Sequence, residues 1–109
     1  MAYNEALAQR VHGMLAPRVD VVEKKMFGGL AYMVQGNMCI GVNQETLMVR
    51  VGKEHYEEAL ALPHARPMDF TGRPMRGFVF VDPEGFASDA DLEPWVERSL
   101  AFVLTLPAK

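Results

Sequence analysis

Apolar residues recur at helical spacing along the first fifteen positions. Tyr3, Leu7, Val11 and the pair Met14 and Leu15 share one stripe, which predicts an amphipathic opening helix, and Pro17 stops it. From Val21 the period shortens. Val21–Phe27 mixes charged and apolar groups, as a half-exposed edge strand does. Leu30, Tyr32 and Val34 alternate with Ala31 and Met33, Gln35-Gly36-Asn37 turns the chain, and Ile40 and Val42 continue the alternation. After a second turn over Asn43–Thr46, Leu47, Val49 and Val51 alternate with Met48 and Arg50. That register sets Arg50 on the opposite face from the two valines, towards solvent. Connections this short favour antiparallel neighbours, because a parallel crossover needs roughly a dozen residues or more.

Gly52 precedes a short helix with an apolar face of Tyr56, Ala59 and Leu60, ended by Pro63. Met68–Phe70 and Gly77–Val81 read as two further strands around a Thr71-Gly72-Arg73-Pro74 turn, and Asp82-Pro83-Glu84-Gly85 closes the second. The last helix spans about Asp91 to Leu106. This start puts Pro94 in the first turn, where its missing N–H has no intrahelical partner to lose. Leu92, Trp95, Val96, Ser99, Phe102 and Val103 give the helix a broad apolar face, with Trp95 as its anchor. The predicted fold class is α+β: an antiparallel β-sheet flanked by helices, in the order α-β(4)-α-β(2)-α.

A length of 109 residues fits one domain, and half of them are hydrophobic, enough for a core without disulfide staples. The single cysteine, Cys39, has no intramolecular partner, which suits a reducing compartment. Glu5 and the lack of an apolar run argue against a signal peptide, and no stretch approaches the roughly 20 apolar residues of a membrane span. A cytoplasmic protein is expected. Eleven Lys and Arg against fourteen Asp and Glu leave a formal charge of −3. A module that gains affinity by neutralising phosphates would be basic, so the balance favours protein partners over nucleic acid.

Candidate chemistry is sparse. Gly28-Gly29 invites a phosphate-loop reading, but neither a following Gly-Lys-Ser or Gly-Lys-Thr nor a third spaced glycine is present; a tight bend between strands accounts for the pair. Cys39 sits in a predicted strand, and His12, His55 and His64 fall on two helices and a loop, so no nucleophile and base can be paired. Asp82, Glu84, Asp89 and Asp91 lack the alternation and terminal glutamate of a calcium loop and suit a turn and a helix N-terminus instead. The expectation is no catalytic residue, no cofactor and no metal.

Two features point outwards. Met14, Met26, Met33, Met38 and Met48 lie in periodic segments and read as core filler, whereas Met68 and Met75 flank a loop, where methionine makes an adaptable partner surface. Arg66, Arg73 and Arg76 make the most basic stretch, able to recognise an acidic partner through forked contacts; solubilising charge or an ion pair to Asp69 is the alternative. The candidate interaction surface is therefore Arg66, Met68, Arg73, Met75 and Arg76.

Several segments carry a family likeness. Lys25-Met26-Phe27-Gly28-Gly29, then Tyr32, the Gly36-Asn37 turn and Leu47-Met48-Val49-Arg50 resemble the first half of the N-terminal domain of the TfoX (Sxy) competence regulators. Met68-Asp69-Phe70, Gly72-Arg73 and Met75-Arg76-Gly77-Phe78-Val79-Phe80-Val81 resemble its second half. The likeness runs from about Leu7 to Leu106, and its specificity lies in the order and spacing of pieces that are individually common. It implies an antiparallel sheet flanked by helices, with Lys25, Met26, Phe27, Gly28, Gly29, Tyr32 and Arg50 in structural roles. Full-length members of that family are transcriptional co-regulators of natural-competence genes that act with the cAMP receptor protein and carry a second, helical C-terminal domain. The likeness implies a non-enzymatic regulatory or protein-interaction module, monomeric or homodimeric. Its expected partner is a transcription regulator such as the cAMP receptor protein, or a separate chain bearing the C-terminal domain, since the sequence ends at Lys109. A small-molecule-binding domain or small enzyme with a pocket near Gly28, Tyr32 and Arg73 is the competing reading, and direct DNA binding a third.

Overall fold

The opening helix is set by its cap. In a computed structural model, which describes residues 3–26, 28–69 and 74–108, the Asn4 side chain accepts a hydrogen bond from the Leu7 N–H at 3.0 Å and starts α1 (Glu5–Leu15). Tyr3, expected on the helical stripe, lies before that cap and forms an isolated bridge with Gln44. Leu7, Ala8, Val11 and Leu15 are the buried face.

Four strands follow as a meander: β1 (Val22–Met26), β2 (Gly29–Val34), β3 (Asn37–Asn43) and β4 (Thr46–Arg50). A helix, α2 (Tyr56–Leu60), leads to β5 (Ala65–Asp69) and β6 (Pro74–Val81), and a 3-10 turn over Pro83–Phe86 precedes α3 (Asp89–Val103). Every strand pair is antiparallel, in the spatial order β1-β2-β3-β4-β6-β5. The expected α+β class and element order therefore hold. The chain does not simply meander, however: after β4 it passes through α2 to the far edge, and β6 returns to fill the gap.

α3 begins earlier than its apolar pattern suggests, because the Ser88 side chain caps it by accepting from the Asp91 N–H. Pro94 is consequently the sixth helical residue and not part of the first turn. The carbonyl it leaves without a helical donor belongs to Ala90, which is exposed, so water can take that bond.

The sheet has two different faces. Towards the helices, Tyr32, Ile40, Leu47, Val49, Leu92, Val96 and Trp95 join the α1 residues in the main core. On the other face Ala31, Met38, Met48, Met68 and Phe80 form a second buried cluster, with Met33, Met75 and Phe78 packed beside it and no residue of the three helices in it. Small residues let this face close on itself: in the cross-strand row Ala31, Gly41, Met48, Phe80, a Cβ on Gly41 would stand 2.8 Å from the Met48 methyl.

Candidate functional site

The end of β4 and the middle of β6 meet at a pair of glycines. Arg50 is paired with Phe78, and one residue further the ladder bulges: the Gly77 carbonyl accepts from both the Val51 and Gly52 N–H groups, at 2.8 and 3.1 Å. Gly52 and Gly77 have φ of +85° and +93°, a region that side chains disfavour. With no side chain at Gly52, the Phe102 ring from the last turn of α3 lies directly against its backbone.

These elements fix Arg50. Its guanidinium carbon stands 5.3 Å from the Phe78 ring centroid and 5.4 Å from that of Phe102, and one N–H donates to the Met38 carbonyl at 3.2 Å. The sequence pattern sends this residue to solvent. It is half-buried instead, because two rings from distant parts of the chain close on it. Around it opens a cleft of about 600 Å³, whose rim carries Lys53, Arg76 and Arg98 together with Glu54, His55 and Glu58. Arg98 reaches the Glu58 carboxylate at 3.4 Å, and Lys53 and Arg76 make no ion pair among the described residues.

Of the interaction surface expected from the loop, Arg66, Met68 and Met75 gather around Phe80, while Arg76 lies apart. Met68 is fully buried in the second cluster, because its strand turns it inwards beneath Phe80, and it offers no partner surface. Met75 is partly buried against the same cluster. Arg66 is exposed, donates to Asp82 at 3.1 Å and lies 4.8 Å from the Phe80 ring centroid. Arg76 stands four residues from Phe80, roughly 13 Å away at strand rise, on the rim of the Arg50 cleft. Arg73 lies outside the described residues.

The groups capable of chemistry are dispersed. Cys39 is fully buried, with its thiol donating to Ser99 Oγ at 3.3 Å, and that hydroxyl donates to the Val96 carbonyl at 2.9 Å. Burial pushes the thiol up to about 11, only partly opposed by the Ser99 hydrogen bond and the Arg50 charge, so it is neutral near pH 7. His12 contacts Glu23 at 3.3 Å, His55 stands at the α2 N-cap, and His64 occupies a turn at φ +69°. Asp82 and Asp89 pair with Arg66 and Arg10, and no metal-holding cluster of acidic, His or Cys side chains occurs among the described residues.

The family model of the TfoX N-terminal domain matches residues 13–103, most of the chain. The chain belongs to that family. No curated protein and no solved structure matches it. Within this TfoX N-terminal domain the family-like segment Lys25 to Gly29 is the β1–β2 hairpin: Lys25 is exposed on the edge strand, Met26 ends it, and Gly28 turns at φ +73°. Gly29 passes so close to β3 that a Cβ would lie 2.1 Å from the Val42 carbonyl oxygen, which is the tight approach expected of this glycine pair. Phe27 lies outside the described residues. Tyr32 is buried and its hydroxyl donates to the Ala8 carbonyl at 2.7 Å, tying the sheet to α1. Burial, then the Glu23 charge and Tyr3, raise its pKa above the ordinary tyrosine value. The TfoX-like Arg50 is different: it lines the cleft.

Sequence reasoning missed that cleft. Its local signals were Arg50-Val51-Gly52 and Arg76-Gly77-Phe78, but nothing near either segment announces Phe102, which the helical pattern assigns to the core face.

Proposed function

We propose that this TfoX N-terminal domain is a non-enzymatic regulatory module of the cytoplasm that works by meeting a protein partner. The partner is a transcription regulator such as the cAMP receptor protein, or a chain carrying the family's C-terminal domain. The observation that carries this reading is the segregation of charge. The cleft gathers four of the eleven basic side chains against two of the fourteen acidic ones, so it is locally positive in a chain of net charge −3. A positive patch on an acidic body selects an acidic partner surface and steers its approach. It is also too small a set of cations to compete for duplex DNA against the charge of the remaining surface. The sequestration of Cys39 supports a binding role over covalent catalysis.

The test is affinity capture from native lysate with the parent protein and with an Lys53→Glu, Arg76→Glu variant, both positions being exposed. A partner held by the parent and released by the variant is expected. Capture unaffected by reversing both charges would remove the cleft rim from the interface, and turnover of an ester, phosphate or peptide substrate by the purified protein would overturn the non-enzymatic reading.

A further inference from the structure

Arg50 is a cation held in place before anything binds. Its guanidinium is half-buried between two phenylalanine rings, donates to the Met38 carbonyl, and makes no ion pair with any described residue. Placing a charge in a partly apolar cleft costs free energy unless an opposite charge meets it. Guanidinium carries five N–H donors in a rigid fork, and one bond to Met38 leaves most of them unspent.

The surroundings define what suits it. Phe78 and Phe102 are flat apolar walls, and the Phe102 ring is seated on the Gly52 backbone, where a side chain would displace it. Lys53, Arg76 and Arg98 add positive potential at the rim. A volume of about 600 Å³ lies within the range of small-molecule sites, which pair apolar walls with a few convergent polar groups.

We infer that the Arg50 cleft is a binding site for a small organic oxyanion, a carboxylate or phosphate monoester carried on a flat apolar body. The oxyanion meets the Arg50 fork, and the flat body lies against the apolar walls that Phe78 and Phe102 give the cleft. Such a ligand would give the regulatory module an input, and the inference rests on that reading only for its meaning to the cell. Binding itself is a property of the purified chain.

The experiment is a titration of the full chain with benzoate, phenyl phosphate, inorganic phosphate and benzyl alcohol, followed by calorimetry and by amide shifts of residues 50–53 and 76–78. Saturable binding of benzoate or phenyl phosphate is expected, at least about tenfold tighter than inorganic phosphate or benzyl alcohol, because each control lacks one half of the recognition. The stronger of the two anions identifies the head group. Arg50→Lys keeps the charge but loses the fork and should weaken binding roughly tenfold, and Arg50→Met should abolish it. Thermal melts establish that these variants fold; should Arg50→Met fail to fold, the Arg50→Lys comparison and the shift map decide. Equal binding by benzyl alcohol, undiminished binding in Arg50→Met, shifts confined elsewhere, or no saturable binding by either aromatic anion would each overturn the inference. Partner capture that persists while the probes fail overturns the ligand site alone, and probe binding without any partner overturns the module reading alone.

Discussion

The Phe102 ring rests on the Gly52 backbone, so that a Cβ at position 52 would stand 2.4 Å from the ring's Cδ1 atom. The contact joins the C-terminal turn of α3 to the end of β4, and it shapes one wall of the Arg50 cleft.

Gly52→Ala should therefore destabilise the domain through two effects: a residue forced to φ +85° and a clash with the ring. Together they should cost about 2–4 kcal/mol by denaturant unfolding. In a Phe102→Ala background only the backbone part remains, so the same substitution should cost about 1–2 kcal/mol less. Equal costs in the two backgrounds would show that ring and glycine are not in contact.

Trp95 is buried beneath α3 with Arg98 alongside its ring. Trp95→Ala should cost about 3–5 kcal/mol, read from the shift in urea midpoint at constant m-value. An unchanged midpoint would place the ring at the surface.

Met68 and Met75 should separate. Met68→Ala opens a cavity in the closed cluster under Phe80 and should cost about 2–5 kcal/mol, whereas Met75→Ala, at a partly buried site, should cost less than half as much. Mild peroxide followed by peptide mass mapping should find sulfoxide at Met75 well before Met68.

Alkaline pH should loosen the fold in a defined window. The folded Cys39 thiol keeps its proton to about pH 11, while the unfolded thiol releases it near its ordinary value of 9.0. Stability is therefore complete below about pH 9 and is lost as pH rises to about 11, by on the order of 1 kcal/mol per pH unit. Tyr32, raised in the same direction, adds its own loss above pH 10, its ordinary value. In Cys39→Ala the decline should begin nearer pH 10, and a curve identical to the parent would show that the thiol does not titrate in this way.

Duplex DNA should bind the isolated protein weakly. At a net charge of −3 its dissociation constant should fall at or beyond the weak end of the roughly 10⁻⁴–10⁻⁶ M range of non-specific binders at physiological salt. Sub-micromolar, salt-sensitive anisotropy changes would reverse the preference for a protein partner.

Period and turn chemistry made most of the fold readable. Leu30, Tyr32 and Val34, like Leu47, Val49 and Val51, alternate cleanly because one face of each strand meets the helices, and two-residue turns leave only antiparallel pairing. The helix starts were harder to place. Asn4 and Ser88 cap α1 and α3 outside the apolar stripe, so periodicity alone misplaced Tyr3 and Pro94. The second face was legible only in part: Met33, Met38 and Met48 read as core filler from their periodic segments, whereas Met68, read as partner surface, joins residues some twenty to thirty-five positions earlier in one buried cluster. The cleft was beyond reach for a similar reason, since Arg50, Phe78 and Phe102 come from three elements whose juxtaposition depends on strand order.

That strand order also has a consequence for how the chain is made. β4 finds its outer neighbour only in β6, and β5 touches the sheet only through β6. As the polypeptide emerges from a ribosome, residues up to 50 can zip into a four-stranded ribbon, but its β4 border stays bare until position 81 has been synthesised. During that interval Leu47, Met48 and Val49, all buried in the finished molecule, stand along an open rim of unpaired amides. The nascent half is thus at its most adhesive immediately before completion, and the thirty residues from 52 to 81 set how long that exposure lasts.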